Sequence, residues 1–479
     1  MAMMARMRPR FVLTLVALCI AASGFAGQEI DVEGAIDLAL RQNRSLKLAA
    51  LTLEGREVAL DSARTAFAVS IQPDGEWSTS DERDRLRFGA GVSRKNTWGS
   101  EAEVSGSAES VTSDKYEDYH RGSARLRLTQ SLLRQFGPLV NREPVTAAES
   151  RVTAARRELE LRKIDLVVRV VELFEELFLL QRQEQFQVQT LDRLEKLLRL
   201  TRGRERQGRA SRVDVLRVDL QYGEAQSRLG GTRERLSSVR AEFSDLLGFD
   251  PDVVFTPVAA GIPEMEDLAE DVAVGVAVEN RLDYAQVMQD CEDAARGVRI
   301  ARRNLLPDLK VIGSYERYSE GAAFSDAGTL DQDSWFVGLS LAADDLLRRN
   351  ERAALKQAEL SEATAQETMV MLNLALRRQV RQAIAAYERA RTDMPLAERN
   401  YKLAENRAAL ARRLFEMGKG DNFSVTDAED GLLQAQNRLL SAQSDAMVTS
   451  YKLLKTLGIL LECPESLKPS AQKLSKGSR

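Results

Sequence analysis

Apolar positions along this chain follow two periods, three-to-four and two, which succeed one another in the same order twice. Residues 28–66 read as helix, with Ile36, Leu38, Leu40, Leu46, Leu48 and Leu51 interrupted by the polar pair Asn43-Arg44. Over 69–129 Ser, Thr, Gly and aromatics replace the helix formers. Side chains alternate in 87–92 and again in 124–129, where Ala124, Leu126 and Leu128 oppose Arg125, Arg127 and Thr129. Phe136-Gly137-Pro138 closes that region. From about 140 to 200 the helical period returns through Ile164, Val167, Val168, Val171, Phe174, Leu177 and Phe178. This stripe reads as a face buried between neighbouring helices. About sixty such residues make a rod about 90 Å long, too long for a compact domain and suited to a coiled-coil-like assembly. Gly203 and Gly208 break it, and a second helix runs over about 212–247.

Residues 251–266 carry three prolines and read as a linker between halves. The pattern then recurs: helix over about 268–304, strands near 309–318 and 334–342, a helix from about 349 to 417, a turn at Gly418-Lys419-Gly420, and a last helix over about 424–460. Residues 208–248 align with 418–458 without a gap, with eight identities in 41 positions, among them Gly208/Gly418, Val215/Val425 and Gly248/Gly458. Upstream, Asn43-Arg44 answers Asn280-Arg281 and Leu126-x-Leu128 answers Leu339-x-Leu341. The organisation expected is therefore a first repeat over 27–250 and a second over 267–462, each with a helix, strands and a long helical hairpin (about 140–248 and 349–460). The tail, 463–479, is expected to be disordered.

Ahead of the repeats, Arg6, Arg8 and Arg10 precede an apolar run over 11–22, and Gly24-Phe25-Ala26 offers small residues for cleavage. Residues 1–26 read as a secretory signal, since the run is too short to span a bilayer. No later stretch is long and apolar enough for a membrane helix, so any membrane segment must be a β-barrel. The strands fit one: Trp335, Val337, Leu339 and Leu341 share one face, and Phe336, Gly338 and Ser340 the other. Four strands, two per repeat, cannot close a barrel, and a single-chain porin lacks the strand number. Copies must pool them, and a trimer gives twelve. One irregularity stands out. Ala63 to Leu126 spans 63 positions and the matching Ala301 to Leu339 spans 38, a surplus of 25 in the first half. The surplus, 87–112, is a hairpin around Asn96-Thr97-Trp98-Gly99. It either adds two strands, making eighteen in a trimer, or extends as a surface flap. Glu101, Glu103, Ser105, Gly106 and Ser107 leave little apolar face for lipid and favour the flap.

Composition narrows the function. Charged residues make up 29% of the chain, and loss of three signal arginines takes the formal net charge from −4 to −7, with no basic footprint for nucleic acid. The one histidine, His120, reads as a solvated loop residue. Cys291 and Cys463 are expected to stay unpaired. No clustering of His, Cys, Ser and carboxylates suggests an enzyme, a metal site or a cofactor. The few His, Cys and Met residues give no argument for copper or zinc as cargo.

The mature chain resembles the TolC-type outer membrane efflux protein family. Leu126-Arg127-Leu128-Thr129-Gln130-Ser131-Leu132-Leu133 with Phe136-Gly137 is similar to the family's end-of-strand block, with Ser131 where Pro is usual, and 343–347 is its degenerate counterpart. Gly208-x5-Asp214-Val215-Leu216 and Phe415-x2-Gly418-x5-Ser424-Val425-x-Asp427 look like its hairpin-tip signature. The resemblance implies a fold mainly α with β: a homotrimer whose long hairpins form an α-barrel and whose strands form a transmembrane β-barrel in outer membrane lipid. It implies a passive exit duct for tripartite efflux or type I secretion, working with a periplasmic adaptor and an inner-membrane pump. It places constriction acids at Asp214 and Asp427, with Phe415 where the family has Tyr, and adaptor docking at the turns Gly208-Arg209 and Gly418-Lys419. Three carboxylates around a three-fold axis repel one another and attract cations, which suits a gate. Ser424 stands where the family carries Asp, and Gly420 where it carries a basic residue, which implies a channel that opens readily. The competing class is a structural coiled-coil protein of the periplasm, against which the two-faced strands and turn glycines speak.

Overall fold

The computed structural model describes residues 28–80, 83–112, 118–258, 261–263, 269–342 and 347–469. The expected signal and the 343–346 part of the second end-of-strand block lie outside them. The elements in chain order are β1 (Gln28–Ile30), α1 (Val32–Gln42), α2 (Arg44–Thr65), β2 (Ser70–Thr79), β3 (Asp84–Lys95), β4 (Ser100–Thr112), β5 (Tyr119–Ser131) and α3 (Pro138–Asn141). Then come α4 (Glu143–Arg206), α5 (Arg212–Leu247), β6 (Phe255–Pro257), α6 (Glu270–Asn280), α7 (Leu282–Asn304), β7 (Asp308–Gly321), β8 (Gln332–Ala342), α8 (Arg349–Glu416) and α9 (Asn422–Leu457). The chain folds as two units.

Among the described residues the first unit comprises 28–48, 160–281 and 376–462. Its short N-terminal helix is broken where one continuous helix was expected, because Asn43 serves both ends. The Asn43 amide bonds back to Ala39, and its side-chain oxygen accepts from the amides of Ser45 and Leu46 to start α2. A second break at Arg281 divides the expected 268–304 helix into α6 and α7. The linker holds a strand, β6, in parallel register with β1. Gly203 lies inside α4 and does not end it. Val167, Val171, Phe174 and Leu177 of the apolar stripe are buried. α5 and α9 are each 36 residues long, and their bounds differ by 210 at both ends. Both end on a left-handed glycine, at φ 86° for Gly248 and 75° for Gly458. A Cβ on Gly248 would meet Gln42, the end of α1, and one on Gly458 would meet Asn280, the end of α6.

The second unit comprises, among the described residues, 49–159, 282–375 and 463–469. Its centre is a six-stranded antiparallel sheet in the order β2-β3-β4-β5-β7-β8. Two expectations fall here. The chain contributes six strands to the sheet, not four, and the surplus hairpin joins that sheet instead of leaving it: β3 and β4 lie between β2 and β5, in continuous register with both. The polar residues that favoured a flap belong to one face only. Ala102, Val104, Gly106 and Ala108 point the other way, because side chains alternate strictly along a strand.

The register makes this visible across the sheet. Ile71, Val92, Val104, Leu126, Tyr315 and Trp335 are successive direct partners, one from each strand. All six are exposed, from 42% to 77%. One position along, Gln72, Gly91, Ser105, Arg125, Glu316 and Ser334 form the matching row on the opposite face. His120 is a strand residue of β5, its ring edge-on to Phe324 at 5.8 Å, not a loop residue. The tail is ordered at its start: Glu465–Leu467 forms a 3-10 turn, Leu467 is buried, and its carbonyl accepts from Arg157 at 3.0 Å. Residues 470–479 lie outside the described residues.

Candidate functional site at the hairpin tips

Both long hairpins turn through the same backbone. Gly208 and Gly418, at φ 70° and 75°, follow the ends of α4 and α8. The Gly208 amide bonds the Glu205 carbonyl at 2.9 Å, and the Arg209 amide bonds that of Arg204 at 2.8 Å. In the second tip Gly418 bonds Phe415 and Lys419 bonds Leu414, both at 2.9 Å. These paired bonds are Schellman motifs, which satisfy the last helical carbonyls and place a residue in the left-handed region. Nothing lies within 4 Å of a Cβ built on either glycine, so the backbone angle alone demands glycine. Arg209 and Lys419 follow directly and are exposed.

The helices after the turns start from inverted chemistry. Ser211 caps α5: its hydroxyl accepts from the Asp214 amide at 3.2 Å, while the Asp214 carboxylate accepts from the Ser211 amide at 3.0 Å. These two bonds form a capping box, and the Ser211 hydroxyl also donates to that carboxylate at 2.6 Å. In α9 the acid is itself the cap, Asp421 accepting from the Ser424 amide at 3.0 Å. Hydrogen bonds from Ser211 hold the Asp214 carboxyl below the usual carboxylate range, and those from Ser424 do the same for Asp421.

The other expected site residues spread around these caps. Asp214 also pairs with Arg217 at 3.5 Å, and its side chain is 29% exposed. Asp427 pairs with Arg407 of α8 and is half exposed. Within one copy, therefore, each carboxylate has its own arginine. Phe415 is buried against Leu194, Leu197, Val215 and Val425. The Arg204 guanidinium lies 4.0 Å from its ring centre and donates to its carbonyl at 2.6 Å. Asn422 donates to the Asp214 carbonyl at 3.2 Å. The two tips, about two hundred residues apart in sequence, are thereby held together.

Sequence reasoning missed three parts of this site. Ser211 and Asp421 were readable as caps, three residues after each turn glycine. The third part carries no local signal. Glu429 of α9, only 4% exposed, accepts from Arg193 of α4 at 2.8 Å and pairs with Arg412 of α8 at 3.4 Å, so one buried carboxylate joins three helices. Among the described residues no group of three His, Cys, Asp or Glu is placed to hold a metal ion.

Residues 273–459 match the outer membrane efflux protein family. The chain is 23% identical over 345 residues to the outer membrane efflux protein BepC of Brucella suis biovar 1 (strain 1330), covering 70% of this chain and 72% of that one. Among solved structures it is similar to the CmeC outer membrane channel of Campylobacter jejuni, with a TM-score of 0.70 at 12% identity over 94% of this chain and 89% of that one. It is also similar to VceC of Vibrio cholerae, with a TM-score of 0.67 at 18% identity over 89% and 96% of the two chains. For the open state of the Neisseria gonorrhoeae MtrE channel the TM-score is 0.66 at 16% identity over 90% and 89%.

Proposed function

We propose that the chain is a member of the outer membrane efflux protein family, which its residues 273–459 match, and that three copies pool their strands into one barrel across the outer membrane. The chain is an exit duct for efflux, seated in the outer membrane and extending into the periplasm. One observation carries the barrel: the row of six exposed apolar residues that are direct partners across all six strands, backed by a polar row. A soluble sheet with such a face would have to cover it, whereas lipid covers it at no cost in polar groups. The sheet's two free edges, β2 and β8, require partners in a membrane, and copies of the same chain supply them. A periplasmic coiled-coil protein has no use for either feature. The duplicated organisation is supported by the equal lengths and matched glycine caps of α5 and α9. Mass measurement of the detergent-extracted protein tests the assembly. Three copies are expected, and a monomer, or full recovery in the soluble periplasmic fraction, would overturn it.

The tips are the gate and the docking end. Around a three-fold axis Asp214 and Asp427 together present six carboxylates, each partly neutralised by its own arginine. The exposed turns Gly208-Arg209 and Gly418-Lys419 meet a periplasmic adaptor, which links the duct to an inner-membrane pump that supplies the energy. No cofactor enters this function. In planar bilayers Asp214→Ala with Asp427→Ala should raise conductance and weaken block by divalent cations. Unchanged conductance and block would reduce both acids to helix-start residues.

A further inference from the structure

We infer that the surplus hairpin is part of the membrane wall, so that the barrel has eighteen strands and a porin-wide, charge-balanced lumen that selects by size. This rests on the three-copy reading above and adds what the wall contains. The apolar row passes through Val92 and Val104 of the hairpin without interruption, so β3 and β4 present the same lipid face as their neighbours. The polar face is stitched across the same strands. Arg87 of β3 pairs with Asp74 of β2 at 3.9 Å, Arg85 of β3 with Glu109 of β4 at 2.8 Å, and the Ser107 and Ser123 hydroxyls join β4 to β5 at 3.0 Å. The hairpin turn is anchored as well. Asn96 accepts from the amides of Trp98 and Ser100, the Trp98 carbonyl accepts from Gly137, and a Cβ on Gly99 would overlap the Gln135 carbonyl.

Closure follows from strand direction. Six antiparallel strands per copy leave β2 and β8 running in opposite senses, so β8 of one copy meets β2 of the next in antiparallel order at every seam. An odd number would force a parallel seam. Three copies of six strands give eighteen. At about 4.8 Å between strands and a tilt of about 40°, eighteen strands enclose a backbone diameter of about 36 Å, against about 24 Å for twelve. The cross-section is about two-fold larger, in the range where barrels keep an aqueous channel. The charges on the polar face are largely paired, and Arg121 and Arg125 continue the pattern by sharing Glu316 on the neighbouring strand at 3.3 and 3.0 Å. Such a lumen offers no strong field of either sign, so the membrane segment filters by size and leaves charge selection to the tips.

Thiol labelling in the intact outer membrane tests this. In a background with Cys291→Ser and Cys463→Ser, Val104→Cys should be silent to a charged, impermeant thiol reagent and reachable by a lipid-dissolved one. Ser105→Cys, one residue on, should show the reverse. Equal reaction of the two positions with either reagent would overturn the inference, because a flap has no lipid side. Strand counting by electron cryo-microscopy on the same particles separates the two readings. Particles that are not trimers defeat the assembly, whereas trimers with twelve wall strands defeat only the eighteen-strand lumen. As a further readout, excising 84–112 joins β2 to β5 at the same end of the sheet. The excised form should exclude neutral polymers that pass the full chain.

Discussion

The two hairpin tips share a backbone and differ in where they keep their acid. Both turn through a left-handed glycine with paired Schellman bonds, and both cap the next helix three residues later. The first then reads Ser211-x-x-Asp214 and the second Asp421-x-x-Ser424, the same two residue types in reverse. Each order satisfies the helix start, through a capping box in one case and an aspartate cap in the other. What changes is the carboxylate's position, one turn inside the helix or at its mouth. The acid missing at 424 is thus present at 421, so helix capping and the placement of charge are separable at these tips: the cap can be kept while the charge is moved.

The largest expected effect lies where the two tips are joined. Glu429→Gln leaves Arg193 and Arg412 facing a neutral group inside the hairpin pair, and breaking a buried ion pair in this way costs on the order of 3–5 kcal/mol. The thermal midpoint of the extracted protein should fall, and cleavage at both tips should rise together. An unchanged midpoint would mean that the tips are held independently. Next, Gly208→Ala and Gly418→Ala should each cost about 1–2 kcal/mol, from backbone strain alone. Equal losses in limited proteolysis support equivalent turns. A much larger loss at one would expose a packing demand that the open space around both glycines does not show.

Smaller again, Ser211→Ala should cost about 1 kcal/mol. The exchange of Asp421→Ser with Ser424→Asp should cost little, because it rebuilds the first tip's capping box in the second. Its effect belongs to transport. In the proposed trimer it moves three carboxylates one turn into the helix, as at Asp214 in the first tip, and block by divalent cations in planar bilayers should strengthen. Strengthened block without a change in thermal midpoint would establish that cap and charge separate. A lower midpoint would show that the aspartate cap is specific to its position.

How much of this was legible in the sequence follows the range of each interaction. The turn glycines, the helix caps and the long apolar stripes are local, and their spacing revealed them. The surplus hairpin was located by counting between matched anchors, yet its setting was misread. Glu101, Glu103, Ser105 and Ser107 were weighed together with Gly106, although Gly106 lies on the opposite face from the other four. Reading the strand at period two would have found Ala102, Val104 and Ala108 beside it. The break at Asn43 is decided by side-chain bonds that helical spacing does not report, and the one at Arg281 by a single extended residue between two helices. Arg204 over Phe415, and Arg193 on Glu429, join residues more than two hundred positions apart, and no window of sequence contains them.

The finest expected difference between the tips is their response to acid. Hydrogen bonds from Ser211 lower the Asp214 carboxyl pKa in the folded tip, so the charged form is favoured there relative to the unfolded chain. The sign follows by linkage. That stabilisation is full above the unfolded value, near pH 4, and is lost as pH falls through the lower folded value. Asp421 is lowered by the same means from Ser424, so both tips should loosen in the same window below about pH 4. They should differ in what replaces the carboxylate. Asp214→Asn leaves Ser211 as the cap, so pepsin cleavage at the first tip should lose its dependence on pH with little gain in rate. Asp421→Asn keeps a capping side chain but removes the charge from the helix mouth, so the second tip should also lose its pH dependence and gain some cleavage throughout. If both variants keep the wild-type acid profile, the carboxylates at the two helix starts are not what acid titrates.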